Sequence, residues 1–114
     1  MKIINIKNKN LLASDAILAN SIFKRVKGLL GRKDLPQGSA MILKPCNSIH
    51  TFFMQFPIDV VFVNKDNKVV KLINSLVPNR MTSIYWNAYY AIEFPAGTLN
   101  RTSTTTSDLL EITS

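Results

Sequence analysis

Apolar and polar residues alternate in short runs over most of this chain. Ile3, Ile4 and Ile6, with Lys and Asn between and around them, predict a first strand. Asn8-Lys9-Asn10 predicts a turn into a second short strand at Leu11 to Ala13, and Ala16 to Ala19 a third. From Ser21 the period lengthens. Ile22, Val26, Leu29 and Leu30 fall on one face of a helix, with Lys24, Arg25 and Lys27 on the other; Asn20 or Ser21 can cap its start and Gly31 can end it. After the turn Leu35-Pro36-Gln37-Gly38 the strand pattern returns, at Ala40 to Leu43, Ile49 to Phe56, Ile58 to Val63, Val69 to Val77, Tyr89 to Phe94 and Leu109 to Thr113. Asn64 to Lys68 predicts a hairpin in which Asn67 takes a positive φ, and Thr102 to Ser107 a polar loop.

Six or more short strands without alternating helices predict a mainly β fold, α+β by strict count. The expected architecture is an antiparallel β-sandwich or a partly open β-barrel with one short α-helix. With 114 residues and 46% hydrophobic content, a single domain over residues 1–114 is expected. The lone cysteine excludes an internal disulfide and fits a reducing, cytoplasmic setting. The N-terminal ten residues lack the continuous apolar stretch of an export signal. No window approaches the roughly 20 apolar residues of a membrane span, so no membrane partner is expected.

The net charge of +7 is carried entirely by residues 1 to 44, where nine Lys or Arg face only Asp15 and Asp34; residues 45 to 114 are balanced, five against five. Such a surplus could attract nucleic acid through the basic N-terminal third, or serve as a solvated basic face. The basic third contains one aromatic residue, Phe23, where a nucleic-acid site would interleave several.

The chemistry concentrates in Pro45 to Asp59, which holds the only cysteine and the only histidine, Cys46 and His50. A thiolate nucleophile needs a nearby base, and this pair has both residue types. Four extended steps would hold their Cα atoms about 13 Å apart, so a dyad requires a bend at Asn47-Ser48. Otherwise Cys46 is a small buried hydrophobe and His50 a hydrogen-bonded half-buried imidazole. Asp59, inside an apolar run, must find hydrogen-bond partners, either backbone amides or a pocket shared with His50 or Thr51. Glu93, between Ile92 and Phe94, is either an exposed strand carboxylate or a second buried one. Alternation along a central strand from Ile49 would put His50, Phe52, Met54 and Phe56 on one face and Ile49, Thr51, Phe53 and Gln55 on the other, one side packed and one lining a cavity. Tyr85, Trp86, Tyr89 and Tyr90 form a second aromatic cluster, able to pack as core or cover an open end.

The run Arg25-Val26-Lys27-Gly28-Leu29-Leu30-Gly31-Arg32, the block from Cys46 to Asp59, and Glu93-Phe94-Pro95-Ala96-Gly97-Thr98, in that order and spacing, resemble the family called domain of unknown function 192. The resemblance spans about residues 10 to 112. It implies a compact, mostly β domain with one short helix and no established reaction. The family often has a Gly-Asp turn where this chain has Ser107-Asp108, and an Asp-Gly turn where it has Asp66-Asn67, departures that touch loop geometry.

These readings predict a small non-enzymatic binding or accessory module, a monomer taking an unknown small molecule or anion. The ligand-binding candidates are Arg25, Arg32, Ser48, His50, Thr51, Met54, Asp59 and Glu93. The alternative is a Cys/His-dependent hydrolase or transferase using Cys46, His50 and Asp59. No cofactor or metal is expected; a zinc site, the alternative, would have to recruit carboxylates that no paired spacing supplies.

Overall fold

The computed structural model describes residues 1–19 and 35–114. The expected helix from Ser21, with Arg25 and Arg32, lies outside the described residues. Among the described residues, eight strands form two sheets: β1 (Lys2–Asn5), β2 (Leu11–Ala13), β3 (Asp15–Ala19), β4 (Ser39–Leu43), β5 (Ile58–Val63), β6 (Val69–Leu76), β7 (Tyr90–Pro95) and β8 (Leu110–Thr113). One sheet has the order β2-β1-β8 and the other β3-β4-β7-β5-β6, a two-sheet, sandwich-like arrangement with no closed barrel. Every pairing is antiparallel but one, since β3 runs parallel to β4 with Asp15 opposite Ser39 and Ala19 opposite Leu43. A four-residue helix, α1 (Thr98–Arg101), follows β7. It was not expected, because four residues are too few to show a helical period.

The middle of the larger sheet is buried on both faces. All six residues of β5 are buried, and alternation divides them cleanly. Val61 and Val63 face the smaller sheet and pack with Ile3, Leu12, Leu110, Ile92 and Phe94. Ile58, Val60 and Phe62 face the other way and pack with Met41, Ile49, Met54, Phe56 and Ala91. Each such side chain contributes about 1.5–3 kcal/mol by leaving water, against about 1 kcal/mol net for a hydrogen bond, so double-sided burial is what holds β5 inside the sheet, between β7 and β6.

On that second face lies the segment predicted as a central strand, Ile49 to Phe56, and here the expectation is corrected. Only His50 forms a bridge, an isolated antiparallel one to Met81; Ile49 and Thr51 add backbone hydrogen bonds to the facing loop, and the rest is irregular. A turn closed by the Met54 amide on the Thr51 carbonyl (3.2 Å), with Phe53 at φ 68, inserts one residue into the alternation. Ile49 and Thr51 point inward before the turn, and Met54 and Phe56 after it. Two-residue alternation cannot survive a turn, which is why a run this rich in aromatic residues does not form a strand.

The hairpin at Asn64 to Lys68 is present, with Asn67 at φ 62. Its Oδ1 accepts a hydrogen bond from the Tyr90 hydroxyl (2.9 Å), and burial pushes that phenol's pKa up to about 12. Ser107, at φ 77, takes the left-handed conformation that glycine adopts most readily. The polar loop from Thr102 is less solvated than its composition implies, for Thr102, Thr104 and Asp108 are all buried. Asp108 Oδ2 accepts from the Asn5 side chain (2.9 Å) and the Thr105 amide (2.8 Å), and its Oδ1 from the Thr105 hydroxyl (3.1 Å), with Lys7 Nζ at 3.7 Å. Thr102 and Thr104 share a hydroxyl contact of 2.8 Å. This network ties the end of β1 to the chain entering β8.

Burial alone would raise the Asp108 pKa, but the hydrogen bonds from Thr105 and Asn5 together with the Lys7 charge outweigh it and hold the group below its ordinary 3.8. A carboxyl depressed in the folded state adds stability above its unfolded pKa and loses it as pH falls through the folded one. The unfolding free energy, measured by urea titration followed by far-UV circular dichroism, is therefore expected to fall as pH drops below about 4. In Asp108→Asn the fall should be smaller; an unchanged slope would remove Asp108 from this role.

Candidate functional site

The two carboxylates singled out in the sequence point to opposite faces of the larger sheet. Asp59 alternates with Ile58 and Val60 and so shares the face of Val61 and Val63, toward the smaller sheet. Glu93 lies opposite Met41 on β4 and Val60 on β5, which places it on the other face, the one that the loop from Cys46 to Phe56 covers. Asp59 and His50 therefore lie on opposite sides of a sheet.

Asp59 is fully buried, and its oxygens are committed to backbone amides. Oδ1 accepts from Ser75 N (2.8 Å), and Oδ2 from Gly97 N (3.1 Å) and Leu99 N (2.9 Å). Local geometry explains each donor. Between Ile58–Leu76 and Val60–Ile73 the register of β5 and β6 slips, leaving one extra residue in β6, and Ser75, at φ 52, turns its amide out of the ladder there. Gly97, at φ 96, and Leu99 lie at the start of α1, whose first amides have no partners within the helix. One carboxylate thus satisfies a bulge and a helix start together.

Glu93 is fully buried on the loop face, so the exposed-strand reading is set aside. Thr51 is also fully buried and structural: its hydroxyl donates to Val77 O (2.7 Å) and accepts from Arg80 N (2.9 Å). Met54 packs in the core of the loop face.

The remaining candidates lie along a ladder between two loops. Cys46 N donates to Tyr89 O (3.0 Å), Tyr85 N to Asn47 O (2.8 Å), Thr82 N to Ile49 O (2.9 Å), Thr51 N to Arg80 O (2.8 Å) and Asn79 N to Thr51 O (3.0 Å). Cys46 and Ser48 are half-buried and His50 is exposed, its ring stacked on Phe52 with centroids 5.1 Å apart. The chain bends at Asn47, as a Cys/His dyad would require. The Cys46 thiol donates to the Ser48 carbonyl (3.0 Å), a contact open to the protonated thiol but not to a thiolate. Among the described residues, no group of three or more His, Cys, Asp or Glu is placed to hold a metal ion.

The aromatic cluster divides. Tyr90 is buried between the sheets, Tyr85 lies against Phe62 (centroids 4.7 Å), and Trp86 stands in solvent. What the sequence did not reveal is how many large apolar residues these loops expose. Short irregular segments have no period from which an outward face could be read.

The described residues define a small two-sheet β protein in which loops carrying Cys46 and His50 cover one face of the larger sheet. The chain belongs to the DUF192 family, described as uncharacterized ACR, whose family model matches residues 3–112. It is similar to the UPF0127 protein of Pyrococcus horikoshii, 35% identical over 97 residues, covering 80% of this chain and 82% of the relative. It is similar also to the UPF0127 protein of Pyrococcus furiosus, 30% identical over 113 residues, 95% of each. Among solved structures, a protein of unknown function from Novosphingobium aromaticivorans shares the fold, with a TM-score of 0.81 at 20% identity, over 97% of this chain and 82% of the other. No helix among the described residues is long and apolar enough to cross a membrane.

Two outcomes test these assignments. Asp59→Ala strands three amides and should cost about 3 kcal/mol of unfolding free energy, with Asp59→Asn intermediate because one oxygen remains to accept. A loss within the roughly 0.5 kcal/mol of a surface change would show the clamp to be dispensable. Cys46 should react with iodoacetamide at neutral pH no faster than a free thiol such as glutathione; markedly faster alkylation would restore the nucleophile reading.

Proposed function

We propose that the protein is a non-enzymatic binding module taking a small molecule or anion at the rim of the loop-covered face, where Cys46, Ser48 and His50 follow one another, with Glu93 buried in the sheet on the same side. The observation that carries this reading is the state of the polar groups. Asp59, the third member of any Cys/His/Asp constellation, has its oxygens occupied by three amides on the far side of the sheet, and the Cys46 thiol donates to a carbonyl. What remains accessible is an imidazole held by the ladder and by Phe52, beside the half-buried Ser48 and Cys46. Such an arrangement orients hydrogen-bond donors and acceptors toward a ligand without an activated nucleophile.

The test is a thermal-shift screen of inorganic phosphate, other small anions, nucleotides and divalent metals on the wild type, Cys46→Ala and His50→Ala. A true ligand at a hundredfold its Kd adds about 2.7 kcal/mol, roughly 10 °C in Tm for a domain of this size. The expected result is a shift in the wild type that both variants lose. A shift that both variants keep would place the site elsewhere, and turnover of a bound compound would replace the binding reading with an enzymatic one.

A further inference from the structure

Two tight turns on the ladder carry large apolar side chains at their tips. The turn closed by Met54 N on Thr51 O has Phe52 and Phe53 at its centre, and the turn closed by Ala88 N on Tyr85 O (2.9 Å) has Trp86. Turn centres are ordinarily Gly, Pro, Asn, Asp or Ser. Here Trp86 is 82% and Phe53 79% exposed, and between the turns Met81 and Ile84 are 69% and 50% exposed. The ladder anchors the two turns at Asn47 and Thr51. Phe53 holds its ring outward from a left-handed backbone that a bulky residue rarely adopts. Backbone hydrogen bonds brace both turns, so their apolar tips are held in water.

Charge distinguishes the possible occupants. Residues 44 to 58 and 77 to 92 contain Lys44, His50 and Arg80 and not one carboxylate, in a chain of net charge +7. Lys44 and Lys65 both lie over the Tyr89 ring, at 5.2 and 5.4 Å. A second copy of the chain would bring like charge against like. Single-stranded nucleic acid would use the cations and the aromatic rings but gives no role to Met81 and Ile84, which cannot stack on bases. Protruding Trp, Phe, Ile and Met side chains among cations, without acids, match the boundary between anionic headgroups and acyl chains.

We propose that this face is a peripheral docking surface for an anionic lipid bilayer, with Phe53 and Trp86 entering the headgroup layer and Lys44 and Arg80 meeting its phosphates. It requires no spanning segment, and it revises the expectation that no membrane is a partner. It stands apart from the small-molecule reading, because its anchors are the two turn tips and not Cys46, Ser48 or His50.

Trp86 is the only tryptophan, so its emission reports directly on the site. With mixed phosphatidylcholine–phosphatidylglycerol vesicles the emission should shift to the blue and be quenched by brominated acyl chains. Pure phosphatidylcholine, or high salt, should give little of either effect. Arg80→Ala should weaken binding about fivefold, the worth of one basic residue near such a surface. Phe53→Asn, which keeps the turn conformation and removes the ring, should weaken it further with an unchanged circular dichroism spectrum. Cys46→Ala should bind vesicles as the wild type does, which separates this proposal from the small-molecule site. An unshifted emission with the anionic vesicles would overturn it, as would equal binding to neutral ones. Saturable quenching by oligouridylate without lipid binding would reassign the face to nucleic acid, and Trp86 burial in a concentration-dependent dimer would reassign it to self-association.

Discussion

The buried carboxylate of Asp59 is the constraint around which the larger sheet is arranged. A desolvated carboxylate costs several kcal/mol unless its lone pairs are met, and here three backbone amides meet them. Those amides come from the bulge of β6 and the start of α1, two places where backbone donors lose their regular partners. Each group would be a liability alone. Together they fix the edge strand β6 to its neighbour β5 and turn the chain sharply after β7, so the helix drops Leu99 into the core between the sheets.

This arrangement also divides the molecule chemically. One face of the larger sheet is given to packing, with Asp59 as its internal clamp. The other is covered by loops that carry the chain's only thiol and only imidazole, over a sheet face that contains Glu93. Both proposals for function rest on that second face. Loops on a rigid sheet are where binding residues are most often found, since the sheet holds them in place while their sequence is free to vary.

Much of the fold was legible in the sequence because period-two alternation is a strong signal where strands are regular. Ile58 to Val63 matches β5 residue for residue, and the hairpin at Asn67 follows from local turn chemistry. The segment Ile49 to Phe56 has the composition of a strand, but one turn reverses which of its residues point inward. Asp59 was legible as a carboxylate needing partners, but the partners lie 16 to 40 residues away and no spacing rule connects them. The parallel pairing of β3 with β4, α1, and the outward faces of Phe53 and Trp86 were not legible, since each depends on tertiary geometry and not on local pattern.

The pairing of β1 with β8 carries a consequence for how the chain acquires its shape. Lys2 lies opposite Thr113 and Asn5 opposite Leu110, so a three-stranded sheet depends on partners from the two ends of the domain. Closing so long a loop is entropically slow and cannot begin on the ribosome until the final strand has emerged. Until then the inward side chains of Ile3 and Leu12, and the whole inter-sheet face of the larger sheet, have nothing to cover them. β8 is thus the strand that closes the core, and a nascent chain that has not yet extended past it holds that apolar face open to water.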